Sequence, residues 1–351
     1  MPWLVRSFVF AVLVAGILQA FAIQAMACGF HIAAPPNTVV QDLIDADQAL
    51  LLGYDPGESQ SLRLIERLKG KSVDLPDVRL DPLTKRLLVA QWRIDRSAPD
   101  TLLIVRSNDE VTWQRIAYVE HEERWIVDKI LSNSSSWTAD ETGELRFRFF
   151  ETLLLDRDPD VRGWGLSELD RTPYSLLRTL DSPPSVSSLV RDINAPLEPH
   201  FAAVRIMMLG MHEEDEARSY IRQQIEAART RPDPLLGAWI VALLEAEGTA
   251  AFDDLLEQGL APSSSFPEAL FAALALHSAH GEPDLRPAFS DFAMEAITID
   301  PSILPIAVSA FWNQKDYTLA PKIIRAFEPQ SVQEALAIAG YLQAAQNGVE
   351  Q

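Results

Sequence analysis

The chain has 351 residues, 48% of them hydrophobic, which is long and apolar enough to bury a substantial core and to form two domains. Thirty Lys and Arg stand against fifty Asp and Glu, a net charge of -20; a surface of that sign repels phosphate backbones and excludes nucleic acid as an expected partner. A single cysteine, Cys28, excludes an internal disulfide framework and a Cys-based structural zinc site, leaving packing as the source of stability.

Arg6 precedes an apolar run from Phe8 to Ala22, and Ala25-Met26-Ala27 puts small residues at the two positions a signal peptidase reads. Residues 1–27 are therefore expected to be a signal peptide, and residues 28–36 a linker. The folded part is expected to be periplasmic or extracellular. Two other fates stay open. A small residue before a cysteine also fits a lipoprotein signal, although Ala25 replaces the usual leucine and Gln24 falls where apolar residues belong. An uncleaved anchor is the third, because Ser7 to Ala27 nearly spans a bilayer, with Gln19 and Gln24 weighing against it. Membrane association is expected only through this amino end. Cleavage after Ala27 would bring together a free amine, the Cys28 thiol and the His31 imidazole, a donor set suited to copper(I) or zinc. The plainer reading makes Cys28 a lipidated or buried residue and His31 part of the linker.

From residue 37 to 133 the pattern is β-rich. Strands are expected at Gln48–Tyr54, Ser61–Leu68, Arg86–Ile94, Thr101–Arg106, Val111–Val119 and Arg124–Leu131, where β-branched and aromatic residues suit a pleated surface. Asp55-Pro56-Gly57, Ser107-Asn108-Asp109 and Glu120-His121-Glu122-Glu123 fit the connecting turns. Five or six short strands in this space predict a small barrel or sandwich. Cys28, Ala46-Asp47 with Gly53, and Lys69-Gly70 resemble the pattern of netrin-like domains, which implies an OB-type barrel. In that family the amino end of the cysteine can reach a partner's metal, but the family's other cysteines are absent here.

Asn133-Ser134-Ser135-Ser136 reads as the break between domains, and a helical region is expected over 139–347. Arg146 to Leu169 forms a helical hairpin about the turn Asp156-Arg157-Asp158-Pro159-Asp160. Asp158-Pro159-Asp160-Val161-Arg162 resembles the turn of a HEAT repeat, which implies an α-solenoid that binds proteins. Its Phe147, Phe149 and Phe150 face is expected to pack on the β-rich part. Further helices are predicted at Pro199–Met211, Glu213–Arg231, Pro234–Glu247, Ala250–Gln258, Phe266–His277, Leu285–Ile297, Ser302–Trp312, Tyr317–Phe327 and Val332–Ala345. Asp284, Asp300 and Ser331 are expected N-caps. No strict repeat length recurs, so an irregular bundle or a tetratricopeptide-type solenoid stays as the rival architecture. The fold class expected is α+β.

His277 and His280 stand three residues apart near a helix end, with Glu282 close by, and could share a metal ion; histidines also favour that position through the helix dipole. His212, in His212-Glu213-Glu214-Asp215-Glu216, lacks the second histidine of a zinc-protease helix. Met207, Met208 and Met211 read as helix core. No nucleophile elbow, phosphate-binding loop or paired Cys motif is present. The expected function is a non-catalytic scaffold or adaptor for another protein of the cell envelope. A copper- or zinc-handling protein using Cys28 and His31 is the alternative, and an enzyme of unfamiliar type comes third.

Overall fold

The computed structural model describes residues 37–54, 62–71, 100–107, 112–194, 201–257, 265–326 and 332–349. The expected signal peptide and linker, the expected strand Arg86–Ile94, Cys28 and His31 lie outside them. The fold is α+β, a four-stranded antiparallel sheet followed by a mostly helical region. The chain divides into two compact units, one spanning Ala33–Leu169 and the other running from Asp170 to Gln351.

The first unit opens with helix α1, Val39–Asp45, whose N-cap Thr38 accepts from the Gln41 amide at 3.1 Å. Its last carbonyls are satisfied from a distance. The Lys69 ammonium donates to Leu43 and Ile44 at 2.8 Å and to Ala46 at 3.1 Å. Strands β1 (Gln48–Tyr54), β2 (Leu62–Lys69), β3 (Thr101–Arg106) and β4 (Gln114–Val119) pair antiparallel in the order β2-β1-β3-β4. Leu50 faces Ile104 and Leu51 faces Leu103 across the central pair. Both faces of β1 and β3 are covered: Ala49 to Leu52 and Leu102 to Val105 are all buried. That explains why these strands read as unbroken apolar runs. β2, at one edge, is largely exposed.

Two expectations fail at the next segment. Arg124–Leu131 is not a strand but the start of helix α2, Arg124–Ala139, and the polar run Asn133–Ser136 lies inside that helix. Glu120-His121-Glu122-Glu123 is its entry and not a hairpin tip: Glu120 and Glu123 form a reciprocal capping box around a 3₁₀ turn. Ile126, Val127, Ile130 and Trp137 then fall on one buried face. The hydroxyls of Ser132, Ser134, Ser136 and Thr138 back-bond to carbonyls three or four residues earlier, so they are satisfied within the helix.

The expected hairpin is present as α3 (Glu144–Glu151), a 3₁₀ turn (Thr152–Leu155) and α4 (Pro159–Leu169), and it belongs to the same unit as the sheet. Phe149 and Phe150 pack against Trp137 of α2, with ring centroids 5.5 and 5.7 Å away. Arg146 ties the unit together, donating to Glu168 and to the Gln41 side chain at 2.6 Å each and to Thr38 at 3.3 Å.

The second unit contains α5 (Tyr174–Leu177), α6 (Val186–Ile193), α7 (Ala202–Gly210), α8 (Asp215–Thr230), α9 (Leu236–Glu247), α10 (Phe252–Glu257), α11 (Phe266–His280), α12 (Arg286–Ile299), α13 (Leu304–Asn313), α14 (Ala320–Ala326) and α15 (Val332–Val349). Alternate helices form an inner row: α7 packs on α9, α9 on α11, α11 on α13 and α13 on α15. α8 lies against α9, and α12 against α11. Every residue of α7 and all of Leu236 to Leu244 in α9 are buried, so these helices are buried all round rather than striped, with Arg205 the one charged side chain among them. At their crossing a Cβ on Gly210 would meet the Ala242 carbonyl oxygen at 2.5 Å, so glycine is needed for the approach. Asp300 caps the turn before α13 as expected, accepting from the Ser302 amide at 3.0 Å. Asp284 does not cap α12; it sits inside a 3₁₀ turn, and Leu285 holds the cap position. Among the described residues no helix is long and apolar enough to cross a membrane.

Candidate functional site

His277 lies in the last turn of α11 and is 3% exposed. Its Nε2 stands 3.0 Å from the Val241 carbonyl and 3.2 Å from the Tyr174 hydroxyl. A carbonyl only accepts, so Nε2 carries the proton and shares it with the tyrosine oxygen. Tyr174 in turn donates to Glu245 at 2.5 Å, and Arg178 donates to both Glu245 oxygens at 2.8 and 2.9 Å. Glu282, the carboxylate nearest the histidines in sequence, pairs with Arg178 at 3.4 Å. Burial lowers His277 to about 4, against a smaller opposing pull from Glu245, which holds the ring neutral at physiological pH. The cluster joins α5, α9 and α11 through a closed set of donors and acceptors. A ring so enclosed, with its proton committed to a backbone carbonyl, fixes helix positions rather than exchanging protons with a substrate.

His280, one turn on, has other surroundings. It lines an open cleft of about 340 Å³ with Ala279, Arg286, Gln314, Lys315, Asp316, Tyr317 and Thr318. The cleft is built by three chain ends: the last residues of α11, the first of α12, and the loop that follows α13. Arg286 donates through Nε to the Ser278 carbonyl at 2.6 Å and through one terminal nitrogen to that of Ala279 at 3.1 Å, covering the open end of α11. The loop after α13 turns at Lys315, which has φ 55° and is the single non-glycine residue with positive φ among those described. The Lys315 and Asp316 amides return to the Trp312 and Phe311 carbonyls at 2.8 and 2.9 Å. Asp316, 6% exposed, accepts from the Thr318 amide at 2.8 Å through Oδ1, while its Oδ2 has no hydrogen-bond partner among the described residues. Its backbone carbonyl receives the buried Tyr341 hydroxyl at 2.8 Å. Burial and the neighbouring Asp316 push the Tyr341 phenol well above its ordinary value.

The two histidines named from the sequence are thus divided between a buried network and an open cleft. Among the described residues no group of three or more His, Cys, Asp and Glu side chains is arranged to hold a metal ion. His212 donates through Nε2 to the Pro184 carbonyl at 2.9 Å; Met207 and Met208 are core, as the sequence suggested, while Met211 is half-buried. The spacing of the histidines drew attention to this end of α11 but not to Tyr174, Arg178, Glu245, Arg286, Lys315 or Asp316. The one local signal for the cleft was Asp316 two residues before Thr318, a turn pattern that places a side-chain acceptor on a backbone amide. Comparison with protein-family models, with curated proteins and with solved structures finds no match.

Proposed function

We propose that this chain is an exported, non-catalytic adaptor whose second unit is a HEAT-like solenoid that binds a protein partner in the cell envelope. The observation that carries the reading is the inner row α7, α9, α11, α13 and α15, in which each helix buries its side chains on its row neighbours. Stacked helical pairs build a continuous core this way and leave an extended surface free for a partner. The Tyr174, Arg178, Glu245 and His277 network supports it too, because these groups are used up in joining helices. Export rests on residues 1–27, and the β-rich part is proposed to be a small OB-type domain on the strength of its short antiparallel strands.

The test is capture from an envelope extract with site-resolved cross-linking, using the full chain tagged at its carboxyl end. The expected result is a processed amino end, recovery outside the cytoplasm, and one reproducible partner cross-linked within residues 201–349. Failure to retain any envelope protein, or cross-links confined to Ala33–Leu169, contradicts the proposal.

A further inference from the structure

The cleft at the end of α11 is lined by two cations, Arg286 and Lys315, by the imidazole of His280 and by one carboxylate, Asp316. The chain carries a net charge of -20, yet three of its basic groups, His280, Arg286 and Lys315, converge on one cleft from three separate elements. Among the described residues none of the three forms an ion pair. Arg286 spends Nε and one terminal nitrogen on carbonyls and keeps its other terminal nitrogen available.

A second observation is independent of charge. Lys315 occupies a left-handed backbone position, where glycine or asparagine is the ordinary choice at a helix carboxyl end and a long side chain is strained. Strain of this kind persists at sites where a particular side chain has a use. A third is the buried Oδ2 of Asp316, an acceptor without a donor in the lining of the same cleft.

We infer that this cleft binds a carboxylate group, held by Lys315 and Arg286, on a ligand that also brings a hydrogen-bond donor for Asp316. The free end of a peptide has both, a terminal carboxylate and the adjoining amide N–H; a free small acid offers the carboxylate alone. The volume suits a ligand of that size, at the lower end of the range for small-molecule sites. A singly charged carboxylate is favoured over a phosphate dianion, because the Asp316 carboxylate in the lining repels the second charge. The site does not depend on the chain being an adaptor, since it concerns defined ligands on the isolated chain.

Calorimetric titration of the full chain tests it with three probes: blocked trialanine with a free carboxyl end, the same peptide as its amide, and succinate. Binding of the free-acid peptide but not the amide supports the inference, and binding of succinate, which brings a second charge and no donor for Asp316, as tightly as the peptide overturns the part given to Asp316. Equal binding of acid and amide, or no binding of any probe, overturns the inference. Lys315→Gly separates binding from folding, because it removes the cation and relieves the strain together. The expected variant melts higher than the parent yet binds the acid about tenfold more weakly. A variant that binds as tightly as the parent overturns the role given to Lys315.

Discussion

The two units store their cores differently. In Ala33–Leu169 the fully buried side chains come from β1 and β3 and from α1, α2 and the α3–α4 hairpin alike, and Lys69 and Arg146 add long-range bonds to α1 and α4. In Asp170–Gln351 the buried residues are strung out along α7, α9, α11, α13 and α15, each packing on the next. One core is shared by sheet and helices, and the other runs along a row of helices. If the second unit is the proposed solenoid, loss of a side chain is expected to be felt throughout the first unit and only by near neighbours in the second.

The largest effect that sharpens this contrast outside the apolar cores is expected from Glu245→Ala. It leaves Arg178, with its side chain 20% exposed, without its main partner and takes the acceptor from Tyr174. A loss of about 3 kcal/mol is expected in urea unfolding, reduced from the fully buried case because the guanidinium keeps some water. The opening should be confined to α5, α9 and α11. If the loss is under about 0.5 kcal/mol, the network is not what joins these helices.

A smaller effect, of opposite sign for two buried groups, Glu123 and His277, is expected from pH. Glu123, buried beside α2, accepts from the Glu120 amide and from Trp164, but burial outweighs these bonds and pushes its carboxyl from 4.5 up to about 7. Its folded form holds a proton that the unfolded chain has lost, so this contribution is full below pH 4.5 and disappears as pH rises through about 7. His277 is lowered from 6.5 to about 4, so its contribution is full above pH 6.5 and disappears as pH falls through about 4. Each is on the order of 3 kcal/mol at most. Asp170, also buried and raised to about 7, adds to the slope with the sign of Glu123. Stability measured against pH for the parent, Glu123→Gln and His277→Phe separates them. Glu123→Gln should remove part of the fall between pH 4.5 and 7, and His277→Phe part of the fall between 6.5 and 4. Parallel curves for all three proteins would deny both groups a role.

The sequence was most legible where one signal acted alone. Gln48–Tyr54 and Thr101–Arg106 were read with the correct ends because a central strand buried on both faces leaves an unbroken apolar run between polar residues. The helices from Ala202 onward were found to within a few residues because proline and glycine mark their ends. Arg124–Leu131 misled because Trp125, Ile126 and Val127 have strand-type side chains, while the spacing of Ile126, Ile130 and Trp137 carried the helical period. The decisive clue is Glu120 paired with Glu123, a capping box whose residues also suit a turn. The short helices α1, α5 and α6 are absent from the reading, although Val186, Leu189, Val190 and Ile193 of α6 stand at helical spacing. Of the site, the two histidines were visible and their surroundings were not. The Tyr174 to Glu245 bond joins residues 71 apart, and the cleft joins the ends of α11 and α13. Such partners are set by packing and leave no mark in local spacing.

Native-state hydrogen exchange on Leu103→Ala and Phe271→Ala tests the contrast between a shared and a repeated core most directly. Both side chains are fully buried, and both truncations are expected to cost about 3–5 kcal/mol. Leu103→Ala should speed exchange across β1, β3 and β4 together. Phe271→Ala should speed it in α9, α11, α12 and α13 while leaving α7 close to the parent. If Phe271→Ala instead loosens α7 through α15 to one common extent, the second unit is a single cooperative globule, and the stacked scaffold on which the proposed function rests is contradicted.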